Sequence, residues 1–256
     1  MIKAQVGNQI CYIKVLRPGA FDDVLARHNL LTSAGLPSPQ VLAATDDQLL
    51  ITRQLPGTAL ARAVFDPEEP CSAEQLIGLL DAMPEQVTQL PRRMSWSDAL
   101  EQYADMVIEV LPSQQPRLDW LVTQIGSGLR GVPKGNEPTH GDFHEGQIHV
   151  SGKQIVGILD VDTIGPGRRA DDLACLIAHL STIQGMNPEQ EARIRALLAN
   201  WVPVFDERVD PVELRLRTAA VIISLATGPY RNQEADWQTQ TSTILGAATA
   251  LIRQIV

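Results

Sequence analysis

The stretch His140-Gly141-Asp142-Phe143-His144-Glu145-Gly146-Gln147 places a carboxylate five residues ahead of a side-chain amide. Ile158-Leu159-Asp160-Val161-Asp162 then puts another carboxylate at the end of an apolar run, 18 residues after Asp142. That order suits phosphoryl transfer, which asks little covalent chemistry of a protein. The reaction needs a hydroxyl aimed in line at the γ-phosphate of a nucleotide such as ATP or GTP, and cations to neutralise the phosphates. In such a site Asp142 orients the attacking hydroxyl or accepts its proton. Magnesium is a hard ion that takes oxygen ligands. Asp160 and the amide oxygen of Gln147 are the candidate donors for it.

These groups share a site only if the chain folds back between them. Ile148-His149-Val150 and residues 154–159 read as two strands, and Ser151-Gly152-Lys153 as the tight turn joining them. A hairpin of that size brings Asp160 beside Asp142 and Gln147.

These motifs resemble those of the aminoglycoside phosphotransferase and choline kinase family, small-molecule kinases with a protein-kinase-like fold. The family's catalytic loop reads His-Gly-Asp-x-His-x-x-Asn, matched by His140 to Gln147. Its metal segment, Ile-Asp-x-(Asp/Glu), is matched by Leu159-Asp160-Val161-Asp162, and its Gly-Asp-Pro-x-x-Asp-Leu-Ala stretch by Gly167-Arg168-Arg169-Ala170-Asp171-Asp172-Leu173-Ala174. Three motifs in order over about 35 residues are specific where a lone His-Gly-Asp is not. Upstream, Ile10-Cys11-Tyr12-Ile13-Lys14-Val15 is similar to the strand whose lysine holds the nucleotide's phosphates. Gly35-Leu36-Pro37-Ser38-Pro39-Gln40-Val41-Leu42 is similar to the family's turn into the next strand, and residues 49–57 to its last N-lobe strand and hinge.

The resemblance implies an α+β, protein-kinase-like bilobal fold. A small, shortened β-rich N-lobe occupies residues 1–58, with the hinge near 53–58, and a large helical C-lobe occupies residues 59–256. It implies that Lys14 and the backbone near Gln54 and Leu55 bind the nucleotide, that Gln147 and Asp160 bind Mg2+, and that Asp142 is catalytic. His140 and His144 then scaffold the loop. Asp162 is a contact for a second metal or the substrate, or else a solvated turn carboxylate. Asp172 bonds the loop's backbone or caps the helix that follows.

The chain departs from the family at four places. Gln147 stands where Asn is usual, and Arg168-Arg169 replaces Asp-Pro. Gly7 is the only glycine before Lys14, which leaves little room for a Gly-rich phosphate cover. The helix after Lys14 has no glutamate to pair with it; Asp22 and Asp23 are the nearby acids. The alternative these departures raise is a weak or inactive pseudokinase that binds a small molecule or a protein. A rival chemistry, a metallohydrolase built on His140, His144 and His149 with Asp142, lacks any spacing that enforces convergence. A nucleophilic hydrolase lacks the Gly-x-Ser-x-Gly turn.

Bulk properties fit a small-molecule enzyme. With 256 residues, 44% of them hydrophobic, the chain can bury a large core. A formal charge of −9 argues against nucleic acid or an anionic membrane as partner, and is compatible with a cationic hydroxyl acceptor. The three scattered cysteines read as free thiols. With no signal peptide or membrane-length apolar run, the expectation is a cytoplasmic monomer or homodimer.

The remaining pattern is helical. Phe21, Val24, Leu25 and His28 mark one helix that Gly35 ends. Ala99, Tyr103, Met106, Val107 and Val110 form one apolar face, and Leu118, Leu121, Val122, Ile125 and Leu129 another. Asn187-Pro188-Glu189-Gln190 and Asp210-Pro211-Val212-Glu213 read as capped helix starts. Residues 219–226 read as a buried helix. Trp96, Trp120, Trp201, Tyr230 and Trp237 fill cores or line an acceptor pocket.

Overall fold

The first sheet is antiparallel, in the order β1-β2-β4-β3, and it carries Lys14. Its strands are β1 (Ile2–Val6), β2 (Gln9–Val15), β3 (Val41–Ala44) and β4 (Leu49–Arg53), with helix α1 (Phe21–Ser33) between β2 and β3. The computed structural model describes residues 1–17 and 19–255. Val6 pairs with Gln9, so β1 and β2 are joined by only Gly7 and Asn8, and Gly7 takes the positive φ of +60° that such a turn needs. Lys14 lies opposite Leu50, which is buried.

Contacts divide the chain into two compact units, residues 1–91 with 137–166 and residues 92–136 with 167–256. The crossing expected at 53–58 falls within the first, between β4 and β5 (Thr58–Ala59). After α2 (Leu60–Ala63) comes α3 (Ala73–Asp81), whose start is held by a reciprocal capping box between Ser72 and Gln75. The short strand β6 (Glu137–Thr139) precedes the hairpin of β7 (Ile148–Ser151) and β8 (Gln154–Ile158). β5 pairs with β7 to make a three-stranded sheet, and β6 pairs with β9 (Gly165–Gly167). The expected turn is a two-residue loop in which Gly152 and Lys153 have φ of +54° and +66°, the signs of a type I′ turn.

Helix α1 ends as expected, with Gly35 at φ +81°. Its inner face holds Val24, His28 and Leu31 and, unexpectedly, Arg27, which is 1% exposed. His28 is buried and hydrogen-bonds to the carbonyl of Pro39, while its Nδ1 has no hydrogen-bond partner among the described residues.

The second unit is helical: α4 (Leu100–Val110), α5 (Gln115–Gly128), α6 (Arg169–Ser181), α7 (Pro188–Arg208), α8 (Pro211–Leu225), α9 (Gly228–Arg231) and α10 (Trp237–Ile252). α8 is the centre, packed chiefly against α6 and α10, and residues 219–224 are buried all round as expected. Leu118, Leu121 and Ile125 of α5 join that core. The face expected on α4 is rotated: Leu100, Ala104 and Val107 are buried, and Met106 is 43% exposed. Trp201 is core, and Trp96 and Trp120 pack against the core's margin. Tyr230 is 48% exposed and meets Trp237 edge-on at 5.0 Å.

Asn187 and Gln190 close the expected capping box of α7. At α8 only half of one forms. Asp210 accepts from the Glu213 N–H at 2.7 Å, but the Glu213 carboxylate turns inward to Arg168 (Nη2 to Oε2, 2.6 Å) and Arg217 (Nε to Oε1, 2.7 Å). Arg217 continues to Asp171 at 2.7 Å and Ser97 at 3.0 Å. Burial raises the Asp171 carboxyl above its ordinary pKa, although Arg217 and Ser97 pull it the other way.

Two outcomes follow. Glu213→Ala removes the carboxylate that Arg168 and Arg217 share, leaving Arg217 with Asp171, and denaturant unfolding should show a loss of about 3–5 kcal/mol. The second concerns acid. Burial lowers the His28 pKa below 6.5. The unfolded chain then binds the extra proton, so the stability from neutral His28 is full above pH 6.5 and is lost as pH falls towards the folded value. In that window unfolding of the wild type should take up as much as one proton more than that of His28→Leu. Equal pH slopes for the two would rule this out.

Candidate active site

One residue's backbone joins the two halves of the site. The Leu159 N–H donates to the Gln147 carbonyl at 2.7 Å, and the Leu159 carbonyl accepts from His140 Nε2 at 2.9 Å. His140 Nδ1 in turn accepts the Asp142 N–H at 3.3 Å. These two bonds fix one neutral tautomer, with the proton on Nε2. Burial lowers the His140 pKa, which keeps it neutral. Asp142, Gln147 and Asp160 are thereby drawn together through backbone groups, as the hairpin argument requires.

Further bonds close the loop onto the turn after β8. Thr163 Oγ1 donates to the His140 carbonyl at 2.8 Å, and Thr139 Oγ1 to the Gly165 carbonyl at 2.8 Å. Gly141 has φ +82°, and a Cβ there would lie 2.7 Å from the Thr163 carbonyl oxygen, so the loop needs glycine at this point on both counts. Asp160 is also left-handed, at φ 49° and ψ 51°. Aspartate tolerates that region better than most residues, and strained backbone of this kind concentrates at functional sites.

His144 holds Gln147. Its Nδ1 accepts the Gly146 N–H at 3.1 Å, and its Nε2 lies 3.1 Å from Nε2 of the Gln147 amide. Asp142 lies 3.9 Å from His144 Nε2. Burial raises the pKa of neighbouring Glu145.

Lys14 meets this site directly. Its Nζ lies 3.1 Å from Asp160 Oδ1 and hydrogen-bonds to Asp162 Oδ2. Burial opposes its charge, but the Asp162 bond and charge, then Asp160, more than offset that and raise its pKa above 10.5. Asp162 is therefore no solvated turn carboxylate: its side chain is 19% exposed and its Oδ1 is buried. Asp23, one of the two acids considered for Lys14, binds Arg27 instead (3.0 Å and 3.1 Å). Arg27 Nη1 also donates to the Ile164 carbonyl, anchoring α1 to the turn that carries Asp162.

Gln54 and Leu55 line a cleft of about 210 Å³ with Pro37, Ser38, Gln40, Arg53, Pro56 and Val156. The Gln54 N–H is donated to the Ile10 carbonyl at 3.1 Å. His149 Nδ1 is 3.0 Å from the Pro56 carbonyl. With His140 and His144 bound to their own loops, the three histidines form no shared metal cluster among the described residues. Of the two roles expected for Asp172, bonding the loop's backbone or capping the next helix, the cap does not form, because α6 begins at Arg169, ahead of it. It sits in the first turn, fully buried and 3.7 Å from Arg169. Sequence reasoning missed Arg27 and Thr163. The signal for Arg27 was its place between Val24, His28 and Leu31 on the apolar face.

No curated protein sequence matches the chain. Among solved structures, a thermostable mutant of aminoglycoside phosphotransferase APH(4)-Ia in ternary complex with AMP-PNP and hygromycin B has a TM-score of 0.66 at 16% identity, over 99% of this chain and 89% of that one. The choline kinase LicA from Streptococcus pneumoniae has a TM-score of 0.62 at 12% identity, over 98% and 89%. A choline/ethanolamine kinase family protein from Mesorhizobium loti has 0.59 at 15%, over 98% and 84%. These likenesses establish a kinase-like α+β fold with a small antiparallel-sheet lobe and a helical lobe. The model of the phosphotransferase enzyme family (APH) matches residues 14–207, so the chain belongs to that family, as a small-molecule kinase.

Proposed function

We propose that the protein moves the γ-phosphoryl group of ATP, or of GTP, to a hydroxyl of a small molecule of aminoglycoside, choline or sugar type. The observation that carries this is the convergence of Lys14, Asp160 and Asp162 with the loop that bears Asp142 and Gln147. ATP is favoured as donor because similar structures hold AMP-PNP or ADP. A cationic acceptor accords with the formal charge of −9, and the three buried free cysteines accord with a cytoplasmic setting. No helix among the described residues is long and apolar enough to cross a membrane.

In this reading Asp142 orients the acceptor hydroxyl and takes its proton as the oxygen attacks. Lys14 pairs its ammonium with phosphate oxygens. Asp160 and Gln147 offer the oxygen donors that magnesium takes, and the ion, when bound, supplies neutralising charge on the phosphates. The base occupies the cleft that Gln54 and Leu55 line. There Gln54 has given its N–H to Ile10 and Pro56 has none, which leaves the Leu55 N–H as donor.

Asp142→Asn should lower turnover ~10²–10⁴-fold while nucleotide affinity stays unchanged, because it removes the base and little else. ADP release against a panel of hydroxylated acceptors, beside calorimetric titration with ATP, measures both; unchanged turnover would remove Asp142 from the role. Asp160→Asn should abolish the magnesium dependence of nucleotide binding. Asn tolerates the left-handed backbone there, whereas Ala would add roughly 1–2 kcal/mol of strain. A wild type that binds nucleotide without turnover on any acceptor would favour the pseudokinase.

A further inference from the structure

We propose that Asp162 is the positioning residue for Lys14, doing from the turn after β8 what no carboxylate on helix α1 does. This rests on the kinase reading above.

Three observations carry it. First, α1 gives no acid to Lys14. Asp22 is exposed, and Asp23 is bound twice by Arg27, four residues along the same helix. Second, the two carboxylates that Lys14 does meet are unlike. The Asp160 side chain is 41% exposed, whereas that of Asp162 is 19% exposed with Oδ1 buried. Third, the turn that carries Asp162 is fixed from two sides. Arg27 of α1 holds its Ile164 carbonyl, and Thr163 holds the catalytic loop at the His140 carbonyl.

The groups facing Asp162 narrow the choice further. His28, on α1, is buried, and the burial that lowers its pKa keeps it neutral. Lys14 is then the cation that balances Asp162. A buried carboxylate without a counter-charge is costly, so the attraction is mutual. Asp162 holds the ammonium at one point, and Asp160 keeps an exposed oxygen for a metal. A lysine without Asp162 would lie wholly on Asp160 and compete there. Lys14 is aimed from a turn bonded to the catalytic loop itself.

Two measurements test this, and one does not depend on nucleotide. Competitive acetylation with acetic anhydride near pH 9 reports Lys14 reactivity by mass spectrometry, with exposed Lys3 as reference. Asp162→Asn should raise Lys14 labelling several-fold, Asp160→Asn should raise it less, and Asp162→Glu should return it towards wild type. Equal labelling of Lys14 in wild type and Asp162→Asn overturns the proposal.

The second is ATP affinity with magnesium. Asp162→Asn should weaken it on the order of tenfold, with turnover at saturation largely kept. Lys14→Met should weaken it too, and the double variant should be no weaker than Lys14→Met alone. Additive losses would overturn the proposal. If the wild type binds no nucleotide, the kinase reading fails, and the labelling experiment still decides the role of Asp162. Lys14→Met also keeps the labelling test honest: loss of the tagged peptide identifies it. If Asp162→Asn does not fold, Asp162→Glu and Asp162→Ser are labelled in its place, and wild-type reactivity in both overturns the proposal.

Discussion

The site hangs on the two backbone groups of Leu159. Its N–H reaches the Gln147 carbonyl and its carbonyl receives His140, so one residue is bonded to both ends of the catalytic loop. Buried backbone groups must find partners. Here the partners lie at either side of Asp142, and satisfying them draws the loop to the end of β8. The next residue, Asp160, leaves in a left-handed turn, which ends the strand and turns its carboxylate out of the ladder. Strand, loop and acid are one unit in this sense: none can shift without breaking one of these hydrogen bonds.

Charge is arranged around that unit with few cations. Asp160 and Asp162 meet the ammonium of Lys14, and Asp142 lies 3.9 Å from His144 Nε2. Arg27 bonds the Ile164 carbonyl and its own helix's Asp23. The excess of carboxylate is what a site for a divalent cation and a polyphosphate requires, since both bring charges that must be matched in turn. Neutral His140 and His28 add none.

The catalytic loop was legible because phosphoryl transfer constrains residue type and spacing together, and because Gly152-Lys153 announces a two-residue hairpin. The buried helix after Asp210 was legible from its unbroken apolar run, and Asn187 with Gln190 from local cap chemistry. What was not legible was pairing at long sequence separation. Nothing near Lys14 in the chain says that its partners lie 146 and 148 residues away. Glu213 has the position of a capping acid, and only the nearness of Arg168 and Arg217 in space shows why its carboxylate abandons the cap. Met106 shows the limit of periodicity: a helix with apolar residues on more than one face does not say which face is inward.

The Glu213 network also bears on how this chain can change over generations. Arg168 stands where relatives of this motif carry a short acid, and it is tied to Glu213, which is tied to Arg217, Asp171 and Ser97. Replacing Arg168 alone by an acid would set two carboxylates against each other. Replacing Glu213 alone would leave two guanidiniums together. Each single replacement breaks a part-buried or buried ion pair, so exchanges at these positions are coupled.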